Sequence, residues 1–261
     1  MPAARQPRVN LKDRRARRSR VTLIIVSLVV VAIIIASFFG LRRPEVTLSH
    51  VAIDGATSVS QADIQTKVDT ILNGSYGYLI PKRFTFLAPL NMIAASLMAT
   101  YPEIGDVVVR RTGLTTMIVH ISERVPYARW CTNGCYSMDD HGFVFAEADG
   151  TESLRTYHGK VEGNPIGQTY LPNDFVALDA YVTSLETLTG KRIRDVNVSY
   201  DRDVFATLDG GGEVRFVLKD QGPELSSNMA SVFASPAFQS AGGLDYADFR
   251  FGQKAIVKFL K

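Results

Sequence analysis

Residues 21–41 read VTLIIVSLVVVAIIIASFFGL, 21 residues without one charged side chain, bounded by Arg20 and Arg42. At a helical rise of about 1.5 Å per residue the run spans about 30 Å, the hydrocarbon thickness of a bilayer. A cleaved signal peptide carries an apolar core of about 7–15 residues and then an Ala-x-Ala-like site. This run is longer, and Ala36-Ser37-Phe38 is a poor cleavage site. The pairs Arg14-Arg15 and Arg17-Arg18 raise a twin-arginine signal, but so apolar a core counts against it. A buried core helix is disfavoured because no face of the run is polar. The run reads as an uncleaved transmembrane helix.

Charge gives the helix a direction. Residues 1–20 carry eight basic groups (Arg5, Arg8, Lys12, Arg14, Arg15, Arg17, Arg18, Arg20) against Asp13 alone. They outweigh Arg42 and Arg43 and are expected to keep the N-terminus cytoplasmic, as in a single-pass type II protein. The net charge of +3 hides a segregation, since the other residues hold 21 basic and 25 acidic groups. The basic character is a tail rather than a nucleic-acid face. About 220 residues follow the helix, with an ordinary globular mix of 46% hydrophobic and 21% charged residues over the whole chain, so they are expected to fold outside the cytoplasm.

That part begins with a short connector from Pro44. HVAIDG (50–55) reads as a strand ending at a turn glycine. Ser58 or Ser60 is placed to cap a helix over 61–72, with Asp63 a weak capping-box partner. NGSYGYLIPKRF reads as a loop. A second helix is expected over 90–102, with Leu90, Ile93, Ala94, Leu97 and Met98 at helical spacing and Pro102 as the stop. IGDVVVRRT and TTMIVHISERV are strands, giving the order β-α-α-β-β. From Pro126 short strands dominate: YARW and CYSMD around Thr132-Asn133-Gly134, then GFVFAE, and strands near 193–200, 203–209 and 213–218. Helices are expected near 174–189 and 222–235. YADFRFGQKAIVKFLK then reads as two strands around Gly252-Gln253.

Catalytic patterns are weak. His50, His120, His141 and His158 are scattered, and no HExxH, G-x-S-x-G or wall-enzyme S-x-x-K pattern occurs. Asp139-Asp140-His141-Gly142 fits a turn better than a metal site. Asp209-Gly210-Gly211-Gly212 leads into a strand, whereas a phosphate cradle needs a helix N-terminus. Glu123 and Arg124 read as a strand end with a polar bridge, and Trp130 as a packing anchor. Cys131 and Cys135 lack redox or zinc spacing. They flank the Asn-Gly turn, where a disulfide can close outside the cytoplasm; two free thiols are the alternative.

Several stretches in order carry a resemblance. HVAIDGATSVSQADI looks like the opening of a POTRA domain. In MIVHISERVPYARW, Glu123, Arg124, Pro126, Ala128 and Trp130 match a Glu-Arg-x-Pro-x-Ala-x-Trp ending of that domain. MDDHGFVF resembles an Asp-x-x-Gly-x-Val-Phe strand pair, and YADFRF an Asp-aromatic-Arg-aromatic signature. Together they resemble the bacterial cell-division family FtsQ/DivIB; the two cysteines depart from its usual hairpin.

The resemblance implies an α+β fold: a basic cytoplasmic tail (1–20), a single N-terminal transmembrane helix (21–41), a POTRA-type βααββ domain (48–125) and a mostly antiparallel β domain with flanking helices (126–261). It implies a non-enzymatic divisome scaffold at the division septum, without cofactor, metal, nucleic acid or small-molecule substrate. Its expected partners are FtsB/FtsL-like coiled-coil bitopic proteins, bound by β-augmentation at the last strand. Arg250 and Phe251 match the family's edge pair, Phe259 stands near a later contact aromatic, and Asp248 is placed to orient Arg250. Lys254 and Lys258 suit acidic partner residues or edge protection. On this reading Tyr246, Phe249, Ile256 and Leu260 face inward. The alternatives are another POTRA-bearing protein of membrane assembly or secretion, and an anchored cell-wall enzyme.

Overall fold

The apolar run lies within one long helix, α1 (Leu11–Gly40). The computed structural model describes residues 11–40, 42–77, 80–150, 153–160, 163–220, 222–239 and 243–260. The first ten residues of the basic tail and Leu41 lie outside the described residues, as do Tyr78 and Leu79 of the first loop. Ser19–Gly40 is long and apolar enough to cross a membrane, and none of it is buried within the protein. Beyond Gly40 hydrogen-bonded turns occur on either side of Arg43, whose own backbone is extended at φ -65° and ψ 134°. The N–H groups of Arg42, Arg43, Val46 and Thr47 donate to the carbonyls of Phe39, Gly40, Arg43 and Pro44, each three residues back, at 3.2–3.3 Å. The later turns include the short 3₁₀ turn Pro44–Val46.

The contacts divide the chain into two compact units: Met1–Leu97 with Asp106–Ile121, and Met98–Gly105 with Ser122–Lys261. In the first, β1 (His50–Asp54) leads to α2 (Gln61–Leu72), whose Ile64, Val68 and Leu72 are buried at helical spacing. Ser60 holds the N-cap position, but its side chain makes no capping bond. The segment expected as a plain loop contains two paired two-residue strands, β2 (Ser75–Tyr76) and β3 (Ile80–Pro81). Helix α3 (Leu90–Thr100) buries Ile93 and Leu97, while Met98, expected on the same face, is exposed. Strands β4 (Ile104–Arg111) and β5 (Thr116–Glu123) complete a three-stranded sheet in the order β1-β5-β4, with β1 parallel to β5.

The second unit is built on a nine-stranded sheet. In chain order its strands are β6 (Ala128–Cys131), β7 (Cys135–Met138), β8 (Val144–Glu147), β9 (Arg155–His158), β10 (Ile193–Val198), β11 (Asp203–Leu208), β12 (Glu213–Val217), β13 (Leu244–Phe251) and β14 (Lys254–Phe259). Their spatial order is β14-β13-β12-β11-β10-β9-β6-β7-β8. The sheet is mixed: β6–β9, β9–β10 and β12–β13 are parallel and the other pairs antiparallel. Strand β9, unread in the sequence, joins the N-terminal and C-terminal parts of this sheet. Helix α4 (Phe175–Thr189) covers one face, ending at Gly190, whose φ of +66° suits a residue without Cβ. The β12–β13 crossover carries α5 (Pro223–Phe233) and the short α6 (Pro236–Gln239). One apolar core joins Phe175, Leu178 and Val182 of α4 to Val196, Val204 and Phe216 of the sheet.

Several buried polar groups inside this unit are paired, whereas Arg129 Nε and Arg202 Nε are buried without a hydrogen-bond partner among the described residues. Asp179 on α4 is buried and accepts from Tyr127 Oη at 2.6 Å, from Tyr157 Oη at 2.5 Å and from the Arg155 guanidinium. Arg155 also pairs with Glu186 at 3.0 Å. Arg124 forms an ion pair with Asp139 and donates from Nε to the Pro102 carbonyl at 3.2 Å. Trp130 is buried against Tyr170, with 5.1 Å between ring centroids. The Sγ atoms of Cys131 and Cys135 are bonded across the β6–β7 hairpin, where the two residues face each other in register.

Candidate partner-docking edge

Among the described residues the sheet ends at β14, which has a neighbour on one side only, β13. Strand β13 turns into β14 through Gly252 and Gln253, with Phe251 opposite Lys254; Gly252 adopts φ +67°, an angle that favours glycine. Tyr246 faces Lys258, Ala247 faces Val257 and Asp248 faces Ile256. The register shifts between Leu244 and Tyr246 and again between Asp248 and Phe251, so β13 is locally irregular on both sides of this regular stretch.

Along β14 the side chains alternate strictly. Ala255, Val257 and Phe259 pack against the core on the helix side. Lys254, Ile256 and Lys258 are exposed. Three expectations are thereby corrected. Ile256 does not point inward: the two-residue strand period puts it on the face of the lysines, 48% exposed. Leu260, also expected inward, is exposed. Phe259, expected as an outward contact, is half-buried, because the same period sets it beside Val257 over α6. Its ring lies 6.0 Å from Phe238, which stacks edge-on to Phe233 at 4.9 Å; Phe233 in turn lies 6.0 Å from Phe249 of β13. Phe249 is inward as read, whereas Tyr246 is half-buried under the Arg215 guanidinium, 4.3 Å from its ring centroid.

Asp248 and Arg250 are brought together. The Arg250 guanidinium donates to Asp248 Oδ1 and Oδ2 at 2.7–3.2 Å, and its backbone N–H donates to Oδ1 at 3.1 Å. Nη1 of Arg250 reaches Asp203 Oδ2 at 2.5 Å, so it bridges β13 to β11. Burial acts to raise the Asp248 carboxyl, but the hydrogen bonds from Arg250 outweigh it and hold the group below its ordinary value. The hydrogen bonds to Asp248 and Asp203 likewise raise Arg250. Lys258 Nζ pairs with Asp245 at 2.6 Å, which raises its pKa. Phe251 is 55% exposed at the hairpin end. The expected residues therefore divide: Phe251, Lys254 and Lys258 are exposed at the edge, Asp248 and Arg250 brace the strand, and Phe259 forms part of its underside.

Beside β14 a cavity of about 300 Å³ opens between the strand and the helices. Val232, Ser235, Phe238, Val257 and Phe259 line most of it. The residues missed from the sequence are Ile256, Val232 and Phe238. The alternation in KAIVKF was the signal for Ile256; nothing local places the two helix residues beside the strand. Among the described residues, three clustered metal-type ligands occur at Asp139, Asp140 and His141. Asp139 there accepts the N–H groups of His141 and Phe143 at 2.9 Å and pairs with Arg124, the arrangement of a braced turn.

No protein-family model matches the chain, and no curated protein matches its sequence.

Proposed function

We propose that this chain is a non-enzymatic, membrane-anchored scaffold of the bacterial division machinery, of the FtsQ/DivIB type. The N-terminus lies in the cytoplasm, and the two units lie beyond the membrane at the septum. There the scaffold links early and late division proteins during septal wall synthesis. The observation that carries the reading is the state of β14. It ends the sheet, keeps one backbone edge without a neighbouring strand among the described residues, displays Lys254, Ile256 and Lys258 on one face, and has an apolar cavity along the other. A partner strand from an FtsB/FtsL-like protein can add to that edge, with backbone hydrogen bonds supplying affinity and alternate side chains meeting the cavity. The two lysines select acidic flanks and oppose self-association of the edge. The order β1-α2-α3-β4-β5, interrupted by the short β2–β3 pair, with β1 parallel to β5, supports a POTRA-type domain there.

The experiment is co-purification of the full chain with its small coiled-coil partners. Phe251→Glu and Ile256→Glu are expected to abolish recovery of the partners while leaving the fold intact. Recovery undiminished in both variants would refute docking at β14. Depletion is expected to give undivided filaments; normal division on depletion sinks the wider reading.

A further inference from the structure

The first unit carries an apolar cluster that its own core does not use. Phe86 is 61% exposed, Leu87 47% and Leu114 49%, although they come from two separate loops. Thr85, itself buried, ties these loops to one point. Its N–H donates to the Val46 carbonyl at 3.1 Å, and its hydroxyl lies between the carbonyl oxygens of Val46 and Leu114. Arg111 Nη1 donates to the Thr85 carbonyl at 2.6 Å, and Tyr76 Oη to the Leu87 carbonyl at 3.1 Å. Phe86 is further held against Phe84, 5.5 Å between ring centroids. The cluster is thus a fixed surface.

Val46 is six residues beyond the end of α1 at Gly40. Among the described ones, Arg42 and Arg43 bond back to Phe39 and Gly40, Arg43 is then extended, and Pro44–Val46 form a separate 3₁₀ turn. Six residues reach at most about 20 Å. Through the bonds of Thr85 to Val46 the cluster is therefore tethered close to the end of α1. Basic groups outnumber acidic ones in these segments, with Glu45 an exposed acid beside Val46. Arg42, Arg43, Arg110 and Arg111 are exposed, and residues 82–102 and 107–122 contain no Asp or Glu. Exposed apolar side chains in an arginine-rich part of the unit match an interface with anionic lipid.

We propose that Phe86, Leu87 and Leu114 insert into the headgroup layer of the bilayer that α1 spans, on the side of residue 42, while Arg42, Arg43, Arg110 and Arg111 take up anionic lipid phosphates. The first unit then rests on the membrane at a second point besides its helix. This rests on the anchoring role of α1 and is independent of the docking edge.

The test uses the full chain reconstituted into phosphatidylcholine–phosphatidylglycerol vesicles. Phe86→Trp and, from the other loop, Leu114→Trp replace exposed side chains, so the fold is not at stake. The wild-type emission of Trp130 is subtracted. Brominated acyl chains are expected to quench the introduced indole about twofold or more, and aqueous iodide to reach it poorly. Combined Arg43→Gln and Arg110→Gln substitution is expected to lower this protection to the level seen in phosphatidylcholine alone; unchanged protection overturns the phosphate assignment. An indole open to iodide and insensitive to bromine, in protein that floats with the vesicles, overturns the insertion and leaves the cluster for a protein partner. Protein that fails to float overturns both the anchor and this contact, whereas loss of partner binding at β14 alone touches neither.

Discussion

Phe259 and Phe238 pack ring to ring at 6.0 Å on the helix side of the sheet, while Ile256, three residues earlier in the same strand, is exposed on the other. Substitutions at these two strand positions therefore report different things. Phe259→Glu puts a carboxylate among Val232, Phe238 and Val257 and is expected to cost about 2–4 kcal/mol of stability. Ile256→Glu is expected to change stability by less than about 0.5 kcal/mol and to weaken partner binding. Urea unfolding followed through Trp130, compared with co-purification, separates the two effects. A wild-type midpoint for Phe259→Glu would falsify the inward packing.

The Asp248–Arg250 pair predicts an acid dependence. The Asp248 carboxyl is lowered in the folded chain relative to its ordinary 3.8. Its contribution is therefore complete above that value and is lost as the pH falls through the lower folded value. Asp248→Asn is expected to destabilise at neutral pH, with the gap to the wild type closing below about pH 4. Arg250→Ala leaves a buried carboxylate without its main donor and is expected to cost about 2–3 kcal/mol at pH 7. Thermal melts across this pH range check both; a gap independent of pH would dissociate the carboxylate from the effect.

These two cases also mark how far the sequence is legible. The helix over 174–189 can be read because Phe175, Leu178, Val182 and Leu185 repeat at helical spacing and Gly190 stops the run. The strand RTYH at 155–158 cannot. Four residues are too few for a period, and its neighbours Ala128–Cys131 and Ile193–Val198 lie far away in sequence. At the edge, the existence of two strands is legible but the assignment of faces is not. Large apolar residues invite an inward placement, whereas alternation along a single strand decides it, and β13 interrupts that alternation twice. The cavity beside β14 depends on α5 and α6 meeting the strand, which no local pattern encodes.

Asp179 gives an alkaline counterpart. Its hydrogen bond to Tyr127, aided by burial, pushes that phenol up to about 12 from 10.0. A raised folded value means that the contribution is complete below pH 10 and is lost as the pH rises through about 12. Absorbance titration of the tyrosines is expected to show late ionisation that moves toward the ordinary range in Asp179→Asn. The stronger variant Asp179→Ala leaves Tyr157 and Arg155 without their shared acceptor and is expected to cost about 3 kcal/mol. Unchanged tyrosine titration in Asp179→Asn would remove Asp179 as the cause.

The Cys131–Cys135 bond closes a loop with a sequence separation of only 4. Loop-closure entropy then limits its contribution to about 2 kcal/mol or less. Cys131→Ser with Cys135→Ser is expected to lower stability by no more than that. Unreduced exported protein should take up no alkylating label after denaturation; two labelled thiols by mass would show the hairpin to be reduced.

The hydrogen-bonded turns that carry the chain from Gly40 to Thr47 have a mechanical meaning. A flexible tether would act as a swivel and let the helix spin without moving β1. Here Val46 is held to Thr85 and the Pro44–Val46 turn is closed by its own hydrogen bonds, so the stretch from Pro44 onward moves as one with the unit that carries β1.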